Sequence, residues 1–475
     1  MVPLRKQEVA RCKQPNTRAK AGVTHADCLR QALEWFTRNN SFANLSLHGN
    51  VGWTAVQLVS LAVLWVWSEQ RTLTGAFTHA SRLSQEMIGT VAVTTYQGFS
   101  GALRKYAEQL RPQVESQLHR LMEQSAGPHW RIGQWLALAV DGSRVTTPRT
   151  TSNEQAFATK NYGSGARTKS RTKWKNKKRR SKKLSAPVKP QIWLTLIWHM
   201  GLKMPWCWKT GPSTASERQH FQELLRTHVF PNQTLFCGDA GFVGYDFWQA
   251  ILDGGHSLLI RVGGNVRLLR DLGVARQRDG LVYLWPSAAM RKQQPPLVLR
   301  LIEFQGTRGN VYLVTNILSE RKLSAKQARE LYRLRWGVEL QFRTLKQTFR
   351  RSKLRSRTAE NALMELDWSL IGLWLIQLYA VQEQIKLDSP PEQSSVALAL
   401  DIVQEAMRNW NSAIRSRNDF RRQLGHARKD GYQRNGNKQA RYRPDSKDKP
   451  NATKPIILQA SNTQKRAYRE FRLAA

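Results

Sequence analysis

The sequence predicts a mixed fold, α+β and α/β in character, with an all-helical N-terminal domain ahead of a larger body of strands and helices. Three observations carry this. Apolar residues recur every three to four positions from His25 to about Gln124. Two short buried-strand patterns, Trp135–Val140 and Thr234–Gly238, each run into an aspartate. A later amphipathic helix, Glu330 to Lys346, sets one acid among cations at the border of its apolar face.

In chain order, residues 1–22 are basic and polar, with no apolar core of the kind a secretory leader carries. Helical spacing then covers Ala26–Phe36, Trp53–Trp67, Leu83–Ile88 and Phe99–Met122, and Arg111-Pro112 is expected to split the last of these. Val51–Trp67 is the most apolar run, but it holds Gln57 and Ser60 and is short for a membrane span, so it reads as a buried helix. Residues 1–125 form the helical domain, suited either to DNA binding or to packing and dimer contacts. Ala126-Gly127-Pro128 marks its end.

The body, first part 126–262, begins with the strand that ends in Asp141-Gly142-Ser143. Residues 150–190 form a basic loop, with eleven Lys or Arg in the seventeen positions Arg167–Lys183, including Lys173, Lys175, Lys177 and Lys178. Such a run suits sequence-independent contact with phosphates. A hairpin around Met200-Gly201 follows, then a helix from about Ala215 whose start has capping-box spacing at Thr214 and Glu217. The second strand delivers Asp239, and a helix over Phe242–Leu252 and a strand over Ser257–Val262 follow it. Residues 263–318 are a β-rich insertion. Residues 319–385 return to the body with the amphipathic helix, starting near Ser324, and a long apolar helix over Asn361–Gln382. Residues 386–475 hold a short helix, Val396–Trp410, and a basic tail with 17 Lys or Arg against 5 Asp or Glu from Arg415 to Arg472, expected to be disordered when free.

Strand with Asp141, hairpin, helix, strand with Asp239, helix, strand, insertion, helix with Glu339 is a ribonuclease H-like order. The acids suit a two-metal site for phosphodiester cleavage, in which a pair of divalent ions activates a nucleophile and stabilises the leaving oxygen. Mg²⁺ takes hard oxygen ligands and keeps several waters, so three carboxylates suffice, with Mn²⁺ as a substitute. None of the ten histidines forms an evident metal or triad cluster.

On the amphipathic helix, at about 100° per residue, Tyr332, Arg335, Glu339 and Lys346 fall within roughly 60° of arc. Leu331, Leu334, Val338, Phe342, Leu345 and Phe349 form a separate stripe. These four polar residues have the spacing Y-x2-R-x3-E-x6-K, and over about 126–385 the chain resembles DDE transposases of the insertion-sequence-four family. The resemblance implies a ribonuclease H-like catalytic domain interrupted by a β-strand insertion. It implies cut-and-paste transposition, with Asp141, Asp239 and Glu339 binding the two metals and Tyr332, Arg335 and Lys346 contacting phosphates at the element's end. Helix geometry adds Arg343 and Arg350 to that face. Some family members stack a flipped base on a tryptophan of the insertion; Trp285 and Tyr312 are the candidates here, neither at the expected place and residue type together.

The partners implied are DNA, as terminal inverted repeats and target, and a second copy of the chain at synapsis. Lys and Arg number 75 against 34 Asp and Glu, a formal charge of +41, which favours a polyanion over a membrane. The four cysteines lack zinc-ligand or disulfide-framework spacing, as expected of reduced thiols in a cytoplasmic, nucleoid-associated protein. Two other readings fit the residues: a DNA-binding relic or repressor without catalysis, and a ribonuclease H-like nuclease unconnected with transposition.

Overall fold

The computed structural model describes residues 23–38, 42, 45, 47, 51–89, 93–158, 189–273, 280–306, 309–412, 420–430 and 453–474. The chain begins with helices α1 (His25–Thr37), α2 (Ala55–Trp67), α3 (Leu73–Ile88), α4 (Tyr96–Lys105) and α5 (Ala107–Ala126). Thr24 with Asp27 and Thr54 with Gln57 close capping boxes on α1 and α2, satisfying amide donors that helical geometry leaves open. The break between α4 and α5 falls at Tyr106, and Pro112 lies inside α5. The expected split at Arg111-Pro112 is therefore displaced by about a turn and a half. A proline removes its own N–H and crowds the carbonyl four residues back, so disruption is felt on its N-terminal side.

The strands are β1 (Leu136–Thr146), β2 (Gln191–His199), β3 (Met204–Gly211), β4 (Thr234–Gly238), β5 (Ser257–Val262), β6 (Arg267–Arg270), β7 (Leu281–Leu284), β8 (Leu297–Gly306), β9 (Gly309–Thr315) and β10 (Ile456–Gln459). They form one sheet in the order β10-β6-β7-β8-β9-β5-β4-β1-β2-β3. β1, β2 and β3 are antiparallel neighbours, whereas β4 runs parallel to β1 and β5 parallel to β4. The strands of the insertion continue this sheet through the antiparallel β5–β9 pair.

β1 is longer than its apolar run suggests. It continues through Asp141 to Thr146, because β2 goes on pairing with it as far as Thr146–Gln191. Pairing with β4 stops earlier, at Ala139–Cys237. Asp141 is thus a mid-strand residue standing where the parallel neighbour has ended, which opens one side of the strand.

The remaining helices are α6 (Thr151–Phe157), α7 (Glu217–Thr227), α8 (Tyr245–Asp253), α9 (Ser287–Arg291), α10 (Ala325–Leu334), α11 (Gly337–Gln347), α12 (Ala359–Ile385), α13 (Val396–Arg408), α14 (Phe420–Gly425) and α15 (Asn462–Ala474). α12 is buried along most of its length and ties the N-terminal helices to the sheet in one continuous core. The Trp67 indole donates to the Gly372 carbonyl at 2.9 Å, the Tyr379 hydroxyl donates to the Ala32 carbonyl, and the Trp374 indole reaches Met122 Sδ at 2.9 Å. Each large apolar side chain buried there contributes about 1.5–3 kcal/mol.

The end of the chain departs from the expected disordered tail. β10 pairs in parallel with edge strand β6, and Tyr468 of α15 packs edge-on against Trp285. The segment lacks a long apolar run because the sheet edge supplies its hydrogen bonds and only a few side chains are covered. No described helix is long and apolar enough to cross a membrane.

Candidate active site

The β1–β4 register builds the first half of the site. Asp141 and Asp239 each lie two residues beyond the Ala139–Cys237 pair, so both acids reach the same level of the sheet and the same face. Backbone amides hold both carboxylates. Asp141 Oδ1 accepts from the Gly142 N–H, and Asp239 Oδ1 accepts from the Gly241 N–H, each at 2.8 Å.

The second half comes from the amphipathic segment, which is two helices and not one. α10 ends at Leu334 and α11 starts at Gly337. Between them the backbone tightens to bonds three residues back, Trp336 N–H to the Arg333 carbonyl, Val338 to Arg335 and Glu339 to Trp336. Packing causes this turn. A Cβ on Gly337 would lie 2.0 Å from the Trp198 ring on β2, so only glycine lets the chain pass so close to the sheet. Glu339 then stands in the first turn of α11, exposed and facing Asp141.

An open cleft of about 440 Å³ is lined by Asp141, Gly142, Ser143, Glu339, Phe342, Arg343, Lys346 and Gln347. Lys346 crosses to β1 and donates to Ser143 Oγ at 2.6 Å, and burial lowers its pKa. Arg335 is only 4 % exposed, with Nη1 3.8 Å from Asp141 Oδ2. Its Nε and Nη1 lack a hydrogen-bond acceptor among the described residues. The Tyr332 ring lies 5.4 Å from the Arg335 guanidinium, and burial raises its phenol pKa.

Burial pushes the Asp141 carboxyl up to about 6, and the charges of Asp239 and Glu339 add to this; the Gly142 N–H and Arg335 oppose it. The structure also brings in Glu217, whose spacing from Thr214 predicts a helix-capping acid. The N-cap of α7 is Ser216, two residues beyond Thr214, so Glu217 becomes the first helical residue. Burial, followed by the charges of Asp141 and Asp239, lifts its carboxyl to about 7. An acid in the first turn of a helix is a usual macrodipole partner, so nothing local distinguishes it.

The donor chemistry suits a divalent ion: hard carboxylate oxygens raise one another's pKa, a conflict that a bound cation relieves. Among the described residues, no three His, Cys, Asp or Glu side chains are gathered tightly enough to close on a single ion. Asp141, Asp239 and Glu339 are the residues that would hold such ions.

The other expected residues divide. Arg343 lines the cleft, between it and an adjoining groove of about 740 Å³ that also holds Trp198, Lys203 and Arg333. Trp336, 57 % exposed in that groove, lies outside the apolar stripe of the segment, and nothing in its spacing marks it as a surface residue of the groove. Arg350 is off the helical face. α11 stops at Gln347, and Arg350 has a left-handed backbone, φ 54°, lining a different depression with Arg71, Arg351 and Arg355. Trp285 and Tyr312 are 4 % and 6 % exposed, and the Trp285 indole donates to the Gln294 carbonyl at 2.8 Å. Neither ring is open to a base in this arrangement, because both complete the packing of the extended sheet. Lys173, Lys175, Lys177 and Lys178 lie outside the described residues.

Asp141 and Glu339 thus line one cleft, and the charge of Asp239, just past the end of β4, acts on the Asp141 carboxyl. The model of the transposase DDE domain matches residues 136–375, half of the chain, and the protein belongs to that family. It is 24 % identical over 271 residues to the transposase InsG of insertion sequence element IS4 from Escherichia coli (strain K12), a match covering 54 % of this chain and 55 % of that one. The chain thus spans about half the length of the curated relative it matches. A cryo-EM structure of the piggyBac transposase synaptic complex with hairpin DNA aligns over 85 % of this chain and 86 % of that one, at 10 % identity and a TM-score of 0.38, too low to read a shared fold from it.

Proposed function

We propose that the protein is a transposase that cleaves DNA strands at the ends of an insertion sequence and joins them to target DNA, using Mg²⁺, or Mn²⁺ in its place. What supports this is a cleft lined by Asp141, Glu339 and Lys346, with the charges of Asp239 and Arg335 acting on the Asp141 carboxyl, inside a transposase DDE domain. The strand order β3-β2-β1-β4-β5 with β4 and β5 parallel supports reading the catalytic part as ribonuclease H-like, with residues 263–318 inserted ahead of the glutamate helix.

When bound, the divalent ions supply Lewis-acid activation of the attacking oxygen and stabilisation of the leaving one. The chain's own residues do the rest. Arg335, buried with unused donors, grips a phosphate through its planar fork. Lys346 adds a point charge beside Ser143. Tyr332 supports the Arg335 guanidinium from its ring face. Arg343 and the basic run 167–183 hold the backbone further from the reacting bond, by sequence-independent charge. Two copies of the chain act together on paired ends.

Incubating the full chain with duplexes carrying the element's own ends and Mg²⁺ tests this. Strand cleavage that disappears in Asp141→Asn, Asp239→Asn and Glu339→Gln, with end binding retained, is the expected result. End binding without cleavage in the wild type would leave a DNA-binding relic. Cleavage of any duplex, ends or not, would leave a nuclease outside transposition.

A further inference from the structure

We infer that Glu365 is a positioning residue for the reaction: it clamps the segment that ties the end of α11 to β1, and so seats Lys346 on Ser143. This rests on the reading of the site given above and adds to it a residue outside the cleft.

The end of α11 is fastened in two stages. Past Gln347 the chain turns back, with Arg350 in the left-handed region at φ 54°. The Arg351 and Ser352 N–H groups then donate to the Leu345 and Lys346 carbonyls at 3.1 and 3.2 Å. Residues 352–354 lie parallel to the end of β1: the Thr146 N–H donates to the Ser352 carbonyl at 3.2 Å, and the Leu354 N–H donates to the Thr146 carbonyl at 2.8 Å. β2 occupies the other edge of β1 there, so this segment takes the edge that β4 leaves after Ala139. Ser143, a little earlier on the same strand, accepts from Lys346 Nζ at 2.6 Å. One short segment thus joins the backbone of Lys346 to the strand that seats its side chain.

Glu365 holds that segment in place. It is fully buried on α12, and its carboxylate accepts from the Arg355 N–H at 3.0 Å, the Ser356 N–H at 2.9 Å and the Ser356 hydroxyl at 2.7 Å. Arg351, also buried, has Nε 3.7 Å from the carboxylate and donating to Ser369 Oγ at 2.8 Å, and its Nη1 donates to the Phe349 carbonyl at 2.9 Å. Arg355 Nε is 3.6 Å away. A carboxylate taken wholly out of water gains little net stability from such pairs over an apolar side chain of the same volume. What it supplies is fixed geometry. Two consecutive amides, a hydroxyl and two guanidinium groups converge on it, and its loss leaves buried donors without an acceptor. Neither Glu365 nor these partners line the cleft, so their effect on the reaction passes through Lys346.

The test uses the full chain as wild type, Glu365→Gln, Ser143→Ala and the double variant. Native-state hydrogen exchange without DNA or metal is expected to quicken in Glu365→Gln over residues 349–356 and at Thr146, and not elsewhere. Single-turnover cleavage of saturating end DNA with Mg²⁺ is expected to slow about tenfold, since misplacing a reacting group by an ångström lowers rates by roughly a hundredfold. In the Ser143→Ala background, where Lys346 has already lost its seat, Glu365→Gln is expected to slow cleavage by less than about threefold, because residues acting through one group are not additive. A fold-wide rise in exchange, wild-type exchange, wild-type cleavage by Glu365→Gln, or the full loss repeated in the Ser143→Ala background each overturns the proposal. Should Glu365→Gln fail to fold, Arg351→Lys, which keeps the charge and gives up the planar fork, takes its place with the same outcomes. A wild type that cleaves no end DNA overturns the reading of the site itself, and this role with it.

Discussion

Gly337 and Trp198 are in contact so close that a methyl group on the glycine would lie 2.0 Å from Cη2 of the indole. Trp198 is on β2, next to the strand that carries Asp141, and Gly337 begins the helix that carries Glu339. This contact sets how near the glutamate comes to the aspartate.

Gly337→Ala should therefore impair cleavage without touching a carboxylate. Overpacking of this kind costs about 1–3 kcal/mol, and displacing a reacting group by an ångström lowers rates by roughly a hundredfold. Gel-based cleavage rates and a melting curve check this. Pairing the alanine with Trp198→Leu should recover part of the activity, and no recovery would argue against a steric cause.

The N-terminal helices and the sheet should unfold together. Gly372 on α12 passes Val66 so closely that an added Cβ would lie 2.7 Å from Cγ2. Gly372→Ala is expected to lower stability by about 1–3 kcal/mol while preserving a single transition. Two separate calorimetric transitions would show instead that residues 1–125 are an independent domain.

Stability should fall on acidification because two buried histidines must stay neutral. Burial takes His199 down to about 3 and His119 down to about 4. His199 Nδ1 accepts from the Leu202 N–H at 2.9 Å, which a proton on that nitrogen would forbid. Since both folded values lie below the ordinary 6.5, the unfolded chain binds more protons in that interval. Stability is full above about pH 6.5 and drops through the interval, by at most about 1.4 kcal/mol per pH unit and group. Urea midpoints from pH 7.5 to 4.5 check the sign, and His199→Gln should flatten the decline.

Removing residues 453–475 should expose the β6 edge. β10 supplies its parallel partner, and Tyr468 covers Trp285. An uncovered edge with an exposed indole favours edge-to-edge association. Light scattering is expected to show concentration-dependent growth in the truncated chain; a monodisperse product at high concentration would mean the edge is tolerated.

Much of the site was written locally. The apolar run ahead of Asp141, the short strand ahead of Asp239 and the spacing of Tyr332, Arg335, Glu339 and Lys346 are patterns within a few consecutive turns or strand residues, where backbone periodicity alone sets the arrangement. Helix starts followed for the same reason, as with Ser324 capping α10 through Gln327. The boundaries that moved were those set by neighbours: the extension of β1 past Asp141 by β2, and the N-cap of α7.

By itself, then, the sequence determined the class of protein, its three strand- and helix-borne acids and its excess of positive charge. Only the tertiary structure decided that the signature helix breaks against Trp198, that Arg350 turns away from the cleft, that Trp285 and Tyr312 are buried, and that Glu217 reaches over Gly142. The first and the last of these depend on two segments far apart in the chain approaching within an atom's diameter. Local propensity and spacing carry no information about that distance; packing alone sets it.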